Sequence, residues 1–340
     1  MIHLVRYVVL AGILIAQPFH SAAQYETPGI KQLPSDIDWI NTSVNDILQD
    51  HRGFLWLGTW SGLARYDGYK MEMFHQSLKD STGLKSNKIT CLFEDSKKRL
   101  WIGTTYSGFY RYDRLQNQFI QYARHADDMN SLSNDNVWAI TEDQFGYLWI
   151  GTENGLNRFD PEEGTFIHYM RSEQDERTLS HNFVYALSQL PNGDLWIGTE
   201  TGLNRLVRNK DGTPQHFVRY MLAPAGVVED EFLDHNFVKT LEPSAADNTL
   251  WVGTSIGLKR ISYDSDDYDQ IGITTYLHNE DEKVGLSHSF VSGIFEEPSG
   301  QYVWIATYDG LNRLDMHSGR FEYYQANKSS NSLNDNIVKT

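Results

Sequence analysis

The sequence predicts an all-β protein with the architecture of a β-propeller, and three observations support this. A phrase of the type Leu-Trp-Ile-Gly-Thr recurs along the chain, and its tryptophans are Trp56, Trp101, Trp149, Trp196, Trp251 and Trp304. The intervals between them are 45, 48, 47, 55 and 53 residues, a period typical of propellers and related repeat arrays. Each interval holds short runs rich in β-branched and aromatic residues, separated by Gly, Asn, Asp and Ser.

The third repeat shows how one unit is organised. Its four runs are VWAITE (137–142), YLWIGT (147–152), LNRFD (156–160) and TFIHYM (165–170). Short turns join them, which predicts four antiparallel strands, the usual content of a propeller blade. A blade lies between two others, so both faces of its sheet are buried, and Gly151 is expected to allow a close approach of the next blade.

The beginning of the chain has the layout of a secretory signal peptide. Arg6 precedes a ten-residue apolar run, and small residues follow at Ser21 and Ala22. The run is too short to span a bilayer as a helix, so residues 1–23 are predicted to be a signal peptide and the rest to be exported.

The repeat divides the remaining chain into three parts. Residues 24–41 form a lead-in that is a candidate ring-closing strand, and residues 42–330 contain six complete blades. Residues 331–340 (NSLNDNIVKT) match the beginning of the third repeat (SLSNDNVWAI), which predicts the first strand of a truncated seventh blade. The predicted ring is therefore incomplete.

An arginine recurs in the third run of every repeat, which indicates an architectural task. These residues are Arg65, Arg111, Arg158, Arg205, Arg260 and Arg313. A single ligand site cannot use six equivalent positions around a ring. We therefore expect the arginines to pair with acids at the end of the first strand, such as Asp95 or Asp143.

Composition limits the classes of function. The net charge of −16 disfavours nucleic acid and anionic membranes as partners of this segment. The single cysteine, Cys91, excludes an intramolecular disulfide and is expected to be a small buried hydrophobe. No phosphate-binding glycine loop or zinc motif is present, so we expect no cofactor and no catalytic residue.

The repeat as a whole resembles the two-component regulator propeller repeat. The stretch SLSNDNVWAITEDQFGYLWIGTENGLNRFD (131–160) carries the resemblance, which extends over about residues 42–340. It implies the periplasmic sensor half of a hybrid two-component receptor of the inner membrane, of the type common in Bacteroidetes. It further implies an oligosaccharide ligand and a kinase region downstream. A homodimer is a separate expectation, which belongs to the alternative that the chain is a binding scaffold. The chain departs from the family pattern in having six and a fraction blades and no kinase.

Aromatic residues outside the recurring phrase are the first candidates for a binding site. Trp60, Tyr106 and Tyr308 lie in predicted loops between the second and third strands, and Trp138 and Tyr185 follow the loop into the first strand. Both kinds of loop open on one face of a propeller, so these rings could form a platform for sugars. The alternative is that each ring packs singly between blades or at the surface.

Three histidines are the second group of candidates. His181, His235 and His288 take the same position in repeats four, five and six. They are interpreted as ligand-binding groups near the channel mouth, with solvated, turn-capping loop residues as the alternative. A shared metal ion is disfavoured, because equivalent residues on neighbouring blades are too far apart for bonds of about 2.1 Å.

Two other classes of function stay open at this stage. The first is a propeller enzyme that acts on glycans, either a sialidase-like glycosidase or a lyase. The turn DQFGYLW (143–149) is similar to the sialidase Asp-box, but its spacing differs and its serine is missing. The second is a scaffold that binds another protein.

Overall fold

The computed structural model describes residues 43–77, 82–224, 235–244, 247, 249–263, 271–279, 284–327, 332–333 and 335–340. Strands in these ranges form six antiparallel sheets of four strands, and each sheet takes its strands consecutively from the chain. The predicted signal peptide (1–23) and lead-in (24–41) lie outside the described residues.

The first three blades have the following strands. Blade 1 contains β1 (Val44–Gln49), β2 (Leu55–Thr59), β3 (Gly62–Tyr66) and β4 (Met71–Phe74). Blade 2 contains β5 (Ile89–Glu94), β6 (Leu100–Thr104), β7 (Phe109–Asp113) and β8 (Gln118–Tyr122). Blade 3 contains β9 (Val137–Glu142), β10 (Leu148–Thr152), β11 (Gly155–Asp160) and β12 (Thr165–Tyr169).

The other three blades repeat the pattern. Blade 4 contains β13 (Val184–Gln189), β14 (Leu195–Thr199), β15 (Gly202–Arg208) and β16 (Pro214–Tyr220). Blade 5 contains β17 (Val238–Pro243), β18 (Thr249–Thr254), β19 (Leu258–Tyr263) and β20 (Ile271–Tyr276). Blade 6 contains β21 (Val291–Glu296), β22 (Tyr302–Thr307), β23 (Gly310–Asp315) and β24 (Phe321–Tyr324).

The six sheets form a ring, which confirms the predicted β-propeller. The first strand of each blade lies innermost, and the first strands of neighbouring blades contact one another in chain order from β1 to β21. Among the described residues, no helix has the length and apolar character needed to cross a membrane.

Residues 335–340 lie between blade 6 and blade 1, where a further inner strand would run. The hydroxyl of Ser292 donates a hydrogen bond to the carbonyl of Val338 at 2.5 Å. The hydroxyl of Thr90 makes the same bond to Val137 between blades 2 and 3, also at 2.5 Å. On the other side, the Lys339 ammonium lies 3.4 Å from the side-chain oxygen of Asn45 in blade 1. This segment therefore has the contacts of an inner strand, although it belongs to no sheet.

The recurring tryptophans fill the spaces between blades. Trp149 is 0% exposed and packs with residues of blade 4, including Leu195 and Phe217. Its indole N–H donates to the carboxylate of Asp143 at 2.8 Å. Trp56 and Trp101 make the same bond to the acid six residues earlier in the chain. A buried indole N–H needs an acceptor, and in blades 1, 2 and 3 the acid at the end of the first strand supplies it.

The predicted pairing of the recurring arginines with these acids is wrong, because the acids accept hydrogen bonds from the tryptophan indoles instead. The arginines instead lie beside the tryptophan of their own blade: Arg158 pairs with Trp149 in the strand register. Where they form ion pairs, the partners are acids of the fourth strand, such as Glu322 for Arg313 at 2.6 Å, or acids in the turn between the first and second strands, such as Asp194 for Arg205 at 3.3 Å. The first-strand acids are reached by other arginines from the next blade, including Arg208 at 2.9 Å from Asp143.

Close contact between blades explains the glycine of the recurring phrase. A Cβ atom added to Gly151 would lie 2.7 Å from a methyl carbon of Val184 in the next blade. This confirms that Gly151 permits the close approach. Cys91 is 7% exposed and is a free thiol, and burial raises its pKa, so the prediction of a small buried hydrophobe is also confirmed.

Candidate functional site: the axial cavity

Two kinds of loop meet on one face of the ring. In blade 3, the N–H of Gly155, at the end of the loop between strands two and three, donates to the carbonyl of Asn182 at 2.6 Å. Asn182 lies in the loop that leads into the first strand of blade 4. The same bond joins Gly310 to Asn336 at 2.6 Å. Side chains from these two sets of loops are therefore neighbours, as the sequence predicts.

A cavity of about 360 Å³, here called the axial cavity, lies at the centre of the ring. The second residue of every first strand lines it: Asn45, Thr90, Trp138, Tyr185, Lys239 and Ser292. Lys339 in the segment 335–340 adds a seventh side chain, and Trp60 and Tyr308 contribute from the loops. The volume falls within the range of about 300–1,000 Å³ usual for small-molecule sites.

Six aromatic side chains follow one another around one side of this cavity. This aromatic arc consists of Trp138, Phe183, Tyr185, Phe237, Phe290 and Tyr308. Consecutive rings have centroids 4.3–6.1 Å apart, and they come from blades 3, 4, 5 and 6. The structure thus brings the predicted Trp138, Tyr185 and Tyr308 together in one continuous surface.

Phe183 and Phe290 anchor the arc by stacking. The rings of Phe183 and Tyr185 lie 4.3 Å apart with an interplanar angle of 11°. The rings of Phe290 and Tyr308 lie 4.5 Å apart at 29°. Offset stacking of this kind fixes ring orientation and leaves the remaining faces of the rings available for contact.

The indole of Trp138 also offers a hydrogen-bond donor. Its N–H is buried and has no acceptor among the described residues. A buried donor without a partner is unfavourable, and a ligand hydroxyl or carboxylate at this place would satisfy it.

Trp60 and Tyr106 form a second aromatic group on the side of blades 1 and 2. The ammonium of Lys88 lies 5.7 Å from the Trp60 ring centroid and 5.4 Å from that of Tyr106. Trp60 lines the axial cavity. Tyr106 does not line it and is 72% exposed. Tyr106 has a φ of 70°, an unfavourable backbone region for a tyrosine, and its N–H donates to Asn136 at 2.7 Å. Backbone strain of this kind is often retained at binding sites.

Charged groups in the axial cavity are few. Asp46 accepts a backbone hydrogen bond from Leu92 at 2.7 Å, and burial raises the pKa of its carboxyl to about 6 despite that bond and the nearby charge of Lys239. Burial, followed by the positive charge of Lys339, lowers the pKa of Lys239. Burial also lowers the pKa of Lys339. A group that neutralises these lysines would offset the cost of burying them.

The three predicted histidines lie beside the arc and do not line the axial cavity. The Nδ1 atoms of His181 and His288 accept the backbone N–H of the phenylalanine two residues later, at 3.0 and 2.9 Å. His181 also lies 3.3 Å from Glu200, and burial lowers its pKa. Nδ1 of His235 is buried without a partner among the described residues. The two paired histidines cap turns and thereby position Phe183 and Phe290.

Sequence reasoning missed several of the residues that form this site. Phe183, Phe237 and Phe290 follow the three histidines at a fixed spacing, a repeated pattern visible in the sequence. Lys239 occupies the same repeat position as Trp138 and Tyr185. Aligning the repeats on their first strands would have identified both groups.

The described residues form a second cavity and contain no cluster of metal-binding side chains. A second cavity of about 420 Å³ lies at the outer edges of blades 3 and 4 and includes His168 and His216. It is formed by two blades only, whereas the axial cavity collects side chains from the whole ring. Among the described residues, no group of three or more His, Cys, Asp or Glu side chains is arranged to hold a metal ion.

The protein is thus a six-bladed β-propeller. Its axial cavity is lined in part by aromatic residues from the loops. Four segments of the chain match the family described as two component regulator propeller: residues 38–61, 83–106, 131–154 and 178–201. These four segments are therefore similar to the two-component regulator propeller repeat. No curated protein matches the sequence.

Solved structures share the fold at low sequence identity. An extracellular domain from a protein of B. thetaiotaomicron, described as a hybrid two-component system, is 23% identical with a TM-score of 0.71. The match covers 91% of this chain and 38% of that domain, so the chain spans well under half of its length.

Propellers with other roles are also similar in fold. Virginiamycin B lyase from Staphylococcus aureus is 15% identical with a TM-score of 0.57, over 85% of this chain and 86% of that one. PorZ, a surface component of the type-IX secretion system of Porphyromonas gingivalis, is 17% identical with a TM-score of 0.57. That match covers 79% of this chain and 38% of PorZ.

Proposed function

We propose that this chain is an extracytoplasmic ligand-sensing propeller of a hybrid two-component receptor and that it binds a glycan breakdown product in the axial cavity without catalysis. The aromatic arc carries this proposal. Sugar rings present C–H faces that pack on indole and phenol rings, and their hydroxyls need hydrogen-bond partners. The arc supplies the rings, and Trp138 supplies a donor that has no acceptor among the described residues.

The receptor context rests on two lines of support. Four segments match the two-component regulator propeller family, and a domain of similar fold belongs to a protein described as a hybrid two-component system. In such a receptor, a kinase region outside this sequence would receive the signal, and pairing of two propellers would be one way to transmit it.

A binding role is favoured over glycoside hydrolysis by the carboxylates of the site. Glycosidases of the common type use two carboxyl groups about 5–10 Å apart. Among the described residues that line the axial cavity, Asp46 alone has a carboxyl group. Hydrolysis of any member of a chromogenic glycoside panel by the purified protein would contradict the proposal and favour the enzyme alternative.

The binding role is tested by removing single rings from the site. The wild-type protein is first applied to an array of oligosaccharides, and the affinity for the best ligand is measured by isothermal titration calorimetry. Trp60→Ala is expected to weaken binding about fivefold, because a lost aromatic contact is worth about 1 kcal/mol. Trp138→Ala is expected to weaken it about tenfold or more, because this variant also loses a hydrogen-bond donor.

Tyr69→Ala is the matched control for these variants. Tyr69 is 93% exposed in the turn between β3 and β4 and does not line the axial cavity. Its removal should leave the affinity and the melting temperature unchanged. Equal binding by wild type, Trp138→Ala and Trp60→Ala would show that the ligand does not use the aromatic groups.

A further inference from the structure

Two lysines reach the axial cavity without a charged partner. Lys239 lies in the same repeat position as Trp138 and Tyr185, and its ammonium is 5.5 and 5.6 Å from their ring centroids. The ammonium of Lys339 is 5.5 Å from the Trp60 ring centroid. Neither lysine forms an ion pair within the part of the chain that the structure describes.

These lysines make the axial cavity locally positive in an acidic protein. The chain as a whole has a net charge of −16. Burial raises the pKa of Asp46, the acid that lines the cavity, to about 6, so near neutral pH its carboxylate offsets one of the two ammonium charges and leaves the other. The mutual repulsion of Lys239 and Lys339 adds to the cost of their burial. An anionic group placed between them would relieve this repulsion and gain charge-assisted hydrogen bonds.

Acids at the rim are already engaged by neighbouring side chains. Glu153 accepts a hydrogen bond from Asn136 at 2.6 Å, and Asp309 accepts one from Asn336 at 2.8 Å. Glu200 lies 3.3 Å from His181. None of the three lines the axial cavity, so among the described acids Asp46 alone offsets the lysine charges inside it.

We propose that the axial cavity selects saccharides that carry a carboxylate, the uronic acids, and that Lys239 determines this specificity with Lys339 beside it. This inference rests on the proposed glycan-binding function. The aromatic arc accounts for the apolar face of a sugar ring, and the ammonium groups account for a carboxylate on the same ring. Both features meet at Trp138 and Tyr185, since Lys239 contacts the rings of both residues.

The experiment compares acids with their neutral counterparts. Oligogalacturonides and oligoglucuronides of two to four residues are titrated into the wild-type protein, each beside the same oligosaccharide after reduction of its carboxyl groups. At least one acidic oligosaccharide should bind about tenfold or more tightly than its reduced counterpart, and the preference should diminish as salt is added. This comparison requires no variant.

Two variants assign the preference to the lysines. Lys239→Met keeps the length of the side chain and removes its charge, and it should abolish the difference between acidic and neutral ligands. Lys339→Met should reduce that difference. Lys97→Met is the control, because Lys97 pairs with Glu162 at the exposed surface away from the axial cavity.

The outcomes separate this inference from the proposed function. Equal binding of acidic and reduced oligosaccharides would overturn the specificity, and a preference that persists in Lys239→Met would overturn its assignment to Lys239. Both outcomes leave glycan binding intact. Binding of sulfated oligosaccharides in place of uronates would overturn the carboxylate assignment. If no oligosaccharide of the array or of the uronate series binds, both the inference and the proposed function fail.

Discussion

Replacing Trp149 with alanine is expected to lower the free energy of unfolding by about 3–5 kcal/mol, the usual cost of deleting a large buried aromatic side chain. Trp149 is 0% exposed and packs between blades 3 and 4. Its removal leaves a cavity at the interface and deprives the buried carboxylate of Asp143 of a donor. Urea unfolding followed by circular dichroism measures the effect. A loss below about 1 kcal/mol would show that the interface does not depend on this side chain.

Conservative variants separate the packing from the hydrogen bond. Trp149→Phe keeps an aromatic ring but removes the N–H that Asp143 accepts at 2.8 Å. Trp196→Phe makes the same exchange where the indole N–H has no acceptor among the described residues, because Leu190 stands where blade 3 has Asp143. Trp149→Phe should therefore cost about 1–3 kcal/mol more than Trp196→Phe. Equal costs would show that the indole–carboxylate bond contributes nothing to stability.

The recurrence of the residues between blades explains why the fold could be predicted from the sequence. Every blade must fill a similar space between neighbours, so the tryptophan of the phrase recurs in all six blades, and the glycine recurs in five, with Ala306 in its place in blade 6. Gly151 could be interpreted from the sequence because only the absence of a Cβ admits Val184 of the next blade. These constraints act within a blade or between adjacent blades, and a repeated pattern records them directly.

Pairing of polar groups was harder to predict, because more than one partner lies within reach. Trp149 and Arg158 both follow Asp143 within the same blade. The sequence alone does not show which of the two side chains donates a hydrogen bond to Asp143. In the sheet, Trp149 lies between Thr141 of the first strand and Arg158 of the third. The tryptophan therefore separates the arginine from the first-strand acid and takes the acid as its own acceptor.

Only part of the candidate site was predicted from the sequence. The loops that share one face follow from the propeller topology, which brought Trp60, Trp138 and Tyr308 into consideration. Lining residues from the first strand depend on which alternate side chains face the axis, and only the register of each strand fixes that. Trp138 and Tyr185 were selected as aromatic residues, and Lys239 at the equivalent place in blade 5 was missed because it is not aromatic.

A pair of carboxyl groups between blades 5 and 6 gives the second large effect, a dependence of stability on pH. Glu296 is 6% exposed and accepts the indole N–H of Trp251 at 2.6 Å. Glu242 lies beside it in the first strand of blade 5. Burial raises the pKa of Glu242 to about 7, a hydrogen bond from the backbone of Glu296 opposes this rise, and the charge of Glu296 adds to it.

The direction of the effect follows from the raised pKa. The folded protein holds the proton of Glu242 up to about pH 7, whereas the ordinary value is 4.5. The contribution of this group to stability is therefore complete below about pH 4.5 and is lost as the pH rises through about 7. A shift of this size corresponds to about 3 kcal/mol.

Glu242→Gln is expected to be more stable than the wild type at pH 8, by up to about 3 kcal/mol, and about equally stable at pH 4.5. Glutamine resembles the protonated acid and cannot ionise, so the variant avoids burying a second negative charge beside Glu296. The difference between variant and wild type cancels the titration of Asp46 and of other groups common to both proteins. Glu163→Gln changes an exposed glutamate and should show no such dependence. A constant difference from pH 4.5 to 8 would mean that Glu242 is ionised throughout, and that the interface between blades 5 and 6 tolerates two adjacent negative charges.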